Sequence, residues 1–344
     1  MKFLERINKS LDYFLSNDKN NFIIGEDLLD PYGGAFKVTK NLSTKYPDQI
    51  ISTPISESSF VGLATGMTFS NNNVVVEIMF SDFLPIISDM LINTASKINL
   101  INEDLMTGKL FIRTPNGGRR GYGPIHSQSL EKIFFGFSQI KLISINRSTD
   151  PFEIYKKIFS DDNKSKINLI LETKIDYPKK ILQIDDFKKY GFNKNLIDTE
   201  LGIVELYNSE EKNSDIDFLF LCYGGMLEEV FNAAIKLFIE EELTSKILIP
   251  HQINPLEEEL IEEIYLNKFR KLVVVEENTI DNSWGSLVLS KLSKKSPIKK
   301  NKDLSIEDVV LLGSSTELIS ANIIKEKNNL IDSEKIYEKL LKLI

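Results

Sequence analysis

Short runs of apolar, often β-branched residues recur along the first half of the chain, separated by segments whose apolar residues repeat with a helical period. Between two of these runs, residues 83–98 place Leu84, Ile87, Leu91 and Ala95 at the i, i+3/i+4 spacing of a helix. The alternation predicts an α/β fold with a parallel sheet covered on both faces. The runs that read as buried strands are residues 22–25, 74–80, 110–113, 140–145 and 167–172.

The alternation is lost between about residues 173 and 214, where Tyr177-Pro178-Lys179-Lys180 and the polar residues 208–213 predict a domain junction. It then resumes, with strands predicted at 218–222, 246–249, 272–276 and 309–312, and helices at 227–241 and 256–265. We therefore predict two doubly wound domains, 1–175 and a smaller 215–344, joined by a linker at 176–214. Polar stretches at 71–73 and 294–300 are predicted to be solvated turns.

Length and charge agree with this division and exclude some functions. A chain of 344 residues exceeds what one core usually serves. The balance of 42 Lys+Arg against 50 Asp+Glu gives a net charge of −8, which disfavours binding to nucleic acid or to an anionic membrane surface. The single cysteine, Cys222, lies in an apolar run and is predicted to be buried.

The chain is predicted to be cytoplasmic. No run approaches the roughly 18 apolar residues that span a bilayer. The first residues carry charges within their apolar pattern and lack the apolar core of a signal peptide.

Three segments place a carboxylate, an aromatic ring and an imidazole where successive strands of a parallel sheet would end. They are Thr53-Pro54-Ile55-Ser56-Glu57, residues 76–83 and His126-Ser127-Gln128-Ser129. With Gly25-Glu26-Asp27 and residues 32–38 and 113–118, they resemble the beta subunit of the thiamine-diphosphate-dependent 2-oxo acid dehydrogenases. These enzymes, of the pyruvate and branched-chain type, belong to the transketolase-like superfamily. The resemblance is strong to about residue 145 and continues more weakly through 222–226, 254–256 and 274–277.

The resemblance implies a transketolase-like pyrimidine-binding domain followed by a smaller transketolase-like C-terminal domain. It assigns Glu57 to the carboxylate that bonds N1′ of the cofactor's aminopyrimidine and drives its tautomerisation. It places Phe83 against the same ring and Met79 beside it. The residues alone leave other interpretations open: Glu57 could cap a helix that begins near Ser58, and Phe83 and Met79 could be core residues.

The resemblance also assigns His126 to proton transfer, or to handing the acyl group onward. A loop rich in glycine and arginine is rarely packed in a core, so this imidazole can exchange protons near neutral pH, although it could instead brace the loop. Arg119 and Arg120 could attract an anionic substrate or be solvated loop charges. His251, where relatives usually carry arginine, is interpreted as structural.

Enzymes of this superfamily hold the cofactor's diphosphate through Mg²⁺ with a Gly-Asp-Gly element, and no such tripeptide occurs in this sequence. The resemblance therefore implies half of an enzyme, without a metal ligand of its own, which binds thiamine diphosphate and Mg²⁺ together with an alpha subunit in an α2β2 heterotetramer. A 2-oxo acid substrate and a lipoylated acyltransferase are the further partners that it implies. Gly33 and Gly34 are interpreted as permitting a tight turn beside the site.

Departures from the family pattern leave the substrate and the acyl acceptor open. Relatives commonly carry a second histidine and Pro-Gly where this chain has Gly136 and Ser138-Gln139, and Asp-Gln where it has Asp89-Met90. One alternative is the pyrimidine-binding half of a split transketolase-like biosynthetic enzyme, and another is a non-catalytic scaffold subunit. Some relatives bind a monovalent cation near the positions of Asp161 and Asn163, but the inserted residues 164–166 make that transfer unsafe.

Overall fold

The computed structural model describes residues 1–102, 105–209, 215–294, 305–315 and 319–343. The chain forms two compact units. The first consists of Met1–Gly117 and Gln128–Ile181, and the second consists of Gly118–Ser127 and Leu182–Ile344. Within the described part of the chain, no helix combines the length and the apolar character needed to cross a membrane.

The first unit is built on a parallel sheet with the strand order β5-β6-β4-β3-β1-β2. Its strands are β1 (Asn21–Glu26), β2 (Ile50–Thr53), β3 (Asn73–Glu77), β4 (Leu110–Asn116), β5 (Ile140–Ile145) and β6 (Ile167–Thr173). Its helices are α1 (Phe3–Asn17), α2 (Leu42–Lys45), α3 (Glu57–Met67), α4 (Leu84–Asp89), α5 (Ser96–Ile101) and α6 (Pro151–Phe159).

The predicted parallel sheet of the first unit is confirmed. Every residue of β5 and β6 is buried, and because successive side chains of a strand point to opposite faces, both faces of the sheet are covered. The prediction missed β2, which lies at the sheet edge and buries only one of its four residues fully. A short, half-exposed edge strand carries no continuous apolar run.

The segment predicted as a helix, residues 83–98, buries the predicted apolar face but does not form one regular helix. Leu84, Ile87, Leu91 and Ala95 are all fully buried, as the spacing predicts. The segment is nevertheless divided into a 3-10 turn at Ser81–Phe83, α4, a π-helix at Met90–Ala95 and α5. Apolar spacing identifies the buried face, but it does not distinguish α-helical from 3-10 or π-helical hydrogen bonding.

The second unit has a mixed sheet with the order β13-β12-β9-β10-β8-β7, in which β8 runs antiparallel to both β7 and β10 and the other pairs are parallel. Its strands are β7 (Asn193–Ile197), β8 (Ile203–Tyr207), β9 (Ile216–Cys222), β10 (Ser245–Pro250), β11 (Gln252–Asn254), β12 (Phe269–Val275) and β13 (Val309–Leu312). Its helices are α7 (Ile184–Lys188), α8 (Met226–Glu241), α9 (Glu258–Leu266), α10 (Trp284–Lys294), α11 (Ile323–Asn329) and α12 (Ser333–Leu341).

An aromatic and aliphatic core supports this second sheet. It packs α8 and α12 against β9, β10 and β12, with Phe187, Phe192, Phe218 and Phe220 among its buried members. Cys222 is fully buried in this core, as predicted, and burial raises the pKa of its thiol. The cysteine is therefore a small core residue and not a reactive thiol.

The segment predicted as a linker, residues 176–214, is largely structured. Its described part contains α7, β7 and β8, which belong to the second unit, and the first unit extends to Ile181. The apolar rhythm disappears there because β7 is a polar, half-exposed edge strand and β8 carries the buried Glu205, whose carboxylate lies 3.1 Å from the Lys246 ammonium. Residues 210–214 of the predicted linker, and residues 295–300 of the predicted polar turn, lie outside the described residues.

Candidate active site

Glu57 begins α3, directly beyond the carboxyl end of β2, and its side chain is only 8% exposed. The preceding residue, Ser56, occupies the N-cap position, and its carbonyl accepts hydrogen bonds from the backbone N–H groups of Ser59 and Phe60. Among the residues that the structure describes, none donates a hydrogen bond to the Glu57 carboxylate. Ser56 holds the cap position, so Glu57 does not cap α3, although its charge still lies in the first turn, where a helix favours an acidic residue.

Glu26 is a member of the site that the sequence motifs contained but to which they gave no role. It ends β1 and is paired in register with Thr53, at the end of β2. Burial, together with the negative charges of Glu57, Asp27 and Glu77, raises the pKa of its carboxyl to about 7. Its Oε1 atom is buried and has no hydrogen-bond partner in the described part of the chain. Two acidic side chains therefore stand together at this edge of the sheet, one of them holding its proton up to neutral pH.

Glu26→Gln is expected to remove a pH dependence of folding. Because the pKa of about 7 in the folded chain exceeds the ordinary 4.5, the folded state binds the extra proton, and its stability falls as pH rises through this interval. The wild type should lose about 2 kcal/mol more than the variant between about pH 5.5 and pH 8. Urea unfolding at both pH values measures this difference, with Glu153→Gln at an exposed position of α6 as the control. Parallel pH profiles for wild type and Glu26→Gln would contradict the raised pKa.

Phe83 and Met79 lie beyond the carboxyl end of β3, and both side chains are partly exposed. The backbone N–H of Phe83 donates to the carbonyl of Phe80, which closes the 3-10 turn that carries the ring. The ring meets that of Phe80 edge-on, with centroids 6.0 Å apart. Because neither side chain is fully enclosed, the interpretation of both as core residues is weakened. Both can form an apolar wall at the sheet edge.

A buried ion network supports this edge from below. Arg113 on β4 pairs with Glu77 on β3 and with Glu172 on β6, and all three side chains are inaccessible to solvent. Glu77 also accepts a hydrogen bond of 2.5 Å from the backbone N–H of Ala35. Gly34 has φ +72°, and a Cβ there would lie 2.7 Å from the Glu77 carboxylate. The tight turn predicted at this glycine is confirmed, and it requires glycine because the Glu77 side chain approaches the backbone closely.

His126 lies in a loop that leaves and returns to the same edge of the first sheet. The loop follows β4, and beyond it the backbone N–H of Gln128 donates to Asp82 at 3.0 Å, while the Ser81 hydroxyl donates to the carbonyl of Gln128 at 3.0 Å. The intervening residues, Gly118–Ser127, group with the second unit. Within this segment the N–H of His126 donates to the carbonyl of Gly123 at 3.2 Å, and its imidazole is partly exposed.

Of the two loop arginines, Arg119 departs from the prediction and the role of Arg120 stays open. Arg119 is neither a solvated charge nor open to an anionic substrate, because its guanidinium lies 3.2 Å from Glu229 and 3.2 Å from Glu277 and its side chain is 13% exposed. Arg120 lies over the ring of Tyr122, with 5.4 Å from its guanidinium carbon to the ring centroid.

Two further predicted positions are accounted for by structural contacts. His251 is fully buried, which agrees with its structural interpretation. Near the suggested cation position, the Asp161 carbonyl accepts from the Lys164 ammonium at 3.1 Å, and Asn163 accepts from the Lys141 ammonium at 3.2 Å. These two oxygens are thus already engaged by lysines of the chain.

The structure thus brings Glu57, Phe83 and Met79 to one edge of the first sheet, beyond the ends of β2 and β3. These two strands flank β1, which ends at Glu26. His126 belongs to the second unit. The roles given to these four predicted residues stay predictions.

Comparison with known proteins identifies the two domains. The model of the transketolase pyrimidine-binding domain matches residues 1–180, and the model of the transketolase C-terminal domain matches residues 208–328. Curated relatives include the pyruvate dehydrogenase E1 component subunit beta of Gracilaria tenuistipitata var. liui, which is 26% identical over 84% of both chains. That of Porphyra purpurea is 24% identical over 96% of this chain and 97% of the relative.

A more similar but shorter match is the mitochondrial subunit beta of the same component from Rattus norvegicus, with 34% identity over 46% of this chain and 44% of the relative. Among solved structures, a protein described as a split gene transketolase, inactive beta4 tetramer, superposes with a TM-score of 0.69 at 14% identity, covering 99% of this chain and 98% of that one. The predicted fold of two transketolase-like domains is confirmed, and the chain belongs to the transketolase family, with curated relatives named as pyruvate dehydrogenase E1 beta subunits.

Proposed function

We propose that the chain is the beta subunit of a thiamine-diphosphate-dependent 2-oxo acid dehydrogenase component, an enzyme that decarboxylates a 2-oxo acid. The observation that carries the proposal is the carboxylate of Glu57, a residue only 8% exposed, which stands at the carboxyl edge of a parallel sheet and accepts no hydrogen bond from the described residues. Ligand sites of open α/β sheets lie at this edge. The names of the curated relatives support the same function.

The residues present fit the aminopyrimidine part of thiamine diphosphate. The Glu57 carboxylate accepts no hydrogen bond from the described residues, so its oxygens are available to accept one from a protonated N1′ of the ring. When bound, the cofactor supplies a nucleophilic carbon that adds to the substrate's keto group and accepts the electrons left when CO₂ departs. Glu57 would hold the ring at N1′, and the N-terminus of α3 favours its negative charge.

Three neighbouring side chains would assist Glu57. Glu26, with a pKa of about 7, is about half protonated at neutral pH, so on average it places less than a full second negative charge beside Glu57. Phe83 and Met79 would form the apolar wall that orients the ring and excludes water from the reacting carbon.

His126 would move a proton at its imidazole during processing of the substrate. The imidazole lies on a partly exposed loop, and histidine is the side chain that most often serves as a general acid and base. In the alternative, the imidazole only braces the loop. Measuring turnover after replacement of His126 distinguishes the two roles.

An alpha subunit would complete the site, because the Gly-Asp-Gly element that holds Mg²⁺ and the diphosphate in this superfamily does not occur in the sequence. An α2β2 heterotetramer is the proposed assembly. The cytoplasmic location stays a prediction, since the names of several relatives place them in mitochondria.

The isolated chain is expected to bind thiamine diphosphate poorly and to gain no affinity from Mg²⁺, because the groups that hold the diphosphate and the metal are supplied by the partner. Titration calorimetry of the purified chain with the cofactor, with and without Mg²⁺, measures this. Adding the alpha subunit should restore metal-dependent binding. Tight, Mg²⁺-dependent binding by the chain alone would show that it carries a diphosphate site of its own.

The acyl acceptor separates two versions of the function. In the first, the complex passes the acyl unit to a lipoyl group on an acyltransferase. In the second, a split transketolase-like enzyme passes the unit to an aldehyde, amine or thiol of a biosynthetic pathway. The departures at Gly136, Ser138-Gln139 and Met90 leave the acceptor open. Incubating the alpha–beta complex with a panel of 2-oxo acids and each acceptor class identifies the product and decides between them.

A further inference from the structure

The loop that carries His126 is held by carboxylates that lie far from it in sequence. Glu326 on α11 is fully buried, although it is ionisable and belongs to a helix whose other residues are mostly exposed. Its Oε1 accepts from the backbone N–H of Arg119 at 2.9 Å, and its Oε2 accepts from the backbone N–H of Gly121 at 2.6 Å. Both carboxylate oxygens therefore accept hydrogen bonds from the loop backbone.

A second carboxylate also binds this loop. Glu277 accepts from the backbone N–H of Gly118 at 2.6 Å and lies 3.2 Å from Nε of Arg119. The same guanidinium lies 3.2 Å from Glu229 on α8 and donates to the carbonyl of Ile331. Three carboxylates from separate elements of the second unit thus converge on residues 118–121.

The loop backbone needs such support. Arg119 has φ +70°, a left-handed conformation that a residue with a long side chain rarely adopts, and Gly121 and Gly123 have φ +71° and +84°. His126 is tied to this backbone by a hydrogen bond, which its N–H donates to the carbonyl of Gly123. A backbone in this conformation persists when charge-assisted hydrogen bonds over-determine it, and Glu326 supplies two of them.

We propose that Glu326 is a positioning residue that fixes the backbone at Arg119 and Gly121 and so presents the His126 imidazole in one place. This inference rests on the proposed role of His126. A carboxylate suits the task because it offers two acceptor oxygens to two N–H groups. A glutamine in the same place would turn an NH₂ group towards one of these donors, and that hydrogen bond would be lost.

Limited proteolysis tests the holding of the loop without reference to activity. The loop contains two trypsin sites, after Arg119 and Arg120, and Glu326→Gln is expected to raise the cleavage rate there by about tenfold or more, because the local opening that admits the protease becomes more frequent. Mass spectrometry of the new termini identifies the cut. Glu334→Gln, on the exposed end of the same C-terminal region, is the control and should cleave as the wild type does. Equal loop protection in wild type and Glu326→Gln would overturn the proposal.

A double-mutant comparison in the alpha–beta complex tests the consequence for His126. Glu326→Gln should lower kcat by roughly 10- to 100-fold with little change in KM, the size of effect expected when a catalytic group is misplaced by about 1 Å. It should cause no further loss in a His126→Ala background, since the two residues act as one unit. Losses that multiply in the double variant, or a Glu326→Gln enzyme with wild-type kcat beside an impaired His126→Ala enzyme, would overturn the positioning role.

The two proposals fail in different ways. If His126→Ala itself leaves turnover unchanged, the proposed role of His126 is wrong, and proteolysis alone decides whether Glu326 holds the loop. If Glu326→Gln does not fold, Arg119→Gln provides the second variant, because it removes the guanidinium contacts of a partly exposed side chain and should raise cleavage after Arg120 in the same way. An unchanged cleavage rate in a folded Arg119→Gln chain would count against the proposal.

Discussion

Glu57→Gln is expected to lower the turnover of the alpha–beta complex by a factor on the order of 10² or more while leaving folding and assembly unchanged. A carboxylate at N1′ favours the reactive tautomer of the aminopyrimidine, and a neutral amide of the same shape cannot. Glu57 is buried and accepts no hydrogen bond from the described residues, so the substitution disrupts no visible contact of the folded chain. Steady-state decarboxylation of a 2-oxo acid by wild type and variant complexes measures the effect.

The control for Glu57→Gln is Glu153→Gln, the same chemical change at an exposed position of α6. It should keep wild-type turnover. A Glu57→Gln complex with near-normal activity would remove Glu57 from the reaction, and one that fails to assemble would make it a structural residue.

His126→Ala is expected to lower turnover by about 10²- to 10⁴-fold, the usual contribution of a positioned proton donor or acceptor. Binding of thiamine diphosphate should survive, because Glu57, Phe83 and Met79 belong to a different unit from His126. Single-turnover decarboxylation and acyl transfer, measured alongside cofactor affinity in the complex, locate the affected step.

Ile125→Ala provides the matched control for His126→Ala, because it truncates an adjacent side chain of the same loop that is 64% exposed. It should leave every step near its wild-type rate. If His126→Ala behaves like Ile125→Ala, or if it abolishes assembly and cofactor binding together, the histidine braces the loop and does not take part in the reaction.

The sequence predicted the elements whose pattern is local. Buried parallel strands such as β5 are continuous apolar runs, and the predicted range 140–145 coincides with the observed one. The edge strands β2 and β7 were missed because half of such a strand faces solvent and its apolar pattern is broken. Element type follows from periodicity, but membership of a sheet depends on partners elsewhere in the chain.

The site was predictable to the same extent. Glu57, Phe83 and Met79 could be placed by the motifs, and strand register explains their common edge. The raised pKa of Glu26 could not be read from sequence, since it arises from burial beside Glu57. The contacts of Arg119 with Glu326 and Glu277, more than 150 residues away, leave no local signature, so the sequence allowed only an anion-attracting or a solvated loop charge.

The proposed function is tested most directly by CO₂ release from 2-oxo acids by this chain co-purified with its alpha subunit. The expected result is release from at least one 2-oxo acid that requires both chains, thiamine diphosphate and Mg²⁺, and that Glu57→Gln suppresses. An alpha–beta complex that assembles stably yet neither binds thiamine diphosphate nor releases CO₂ from any 2-oxo acid would contradict the proposal and leave the chain as a scaffold subunit.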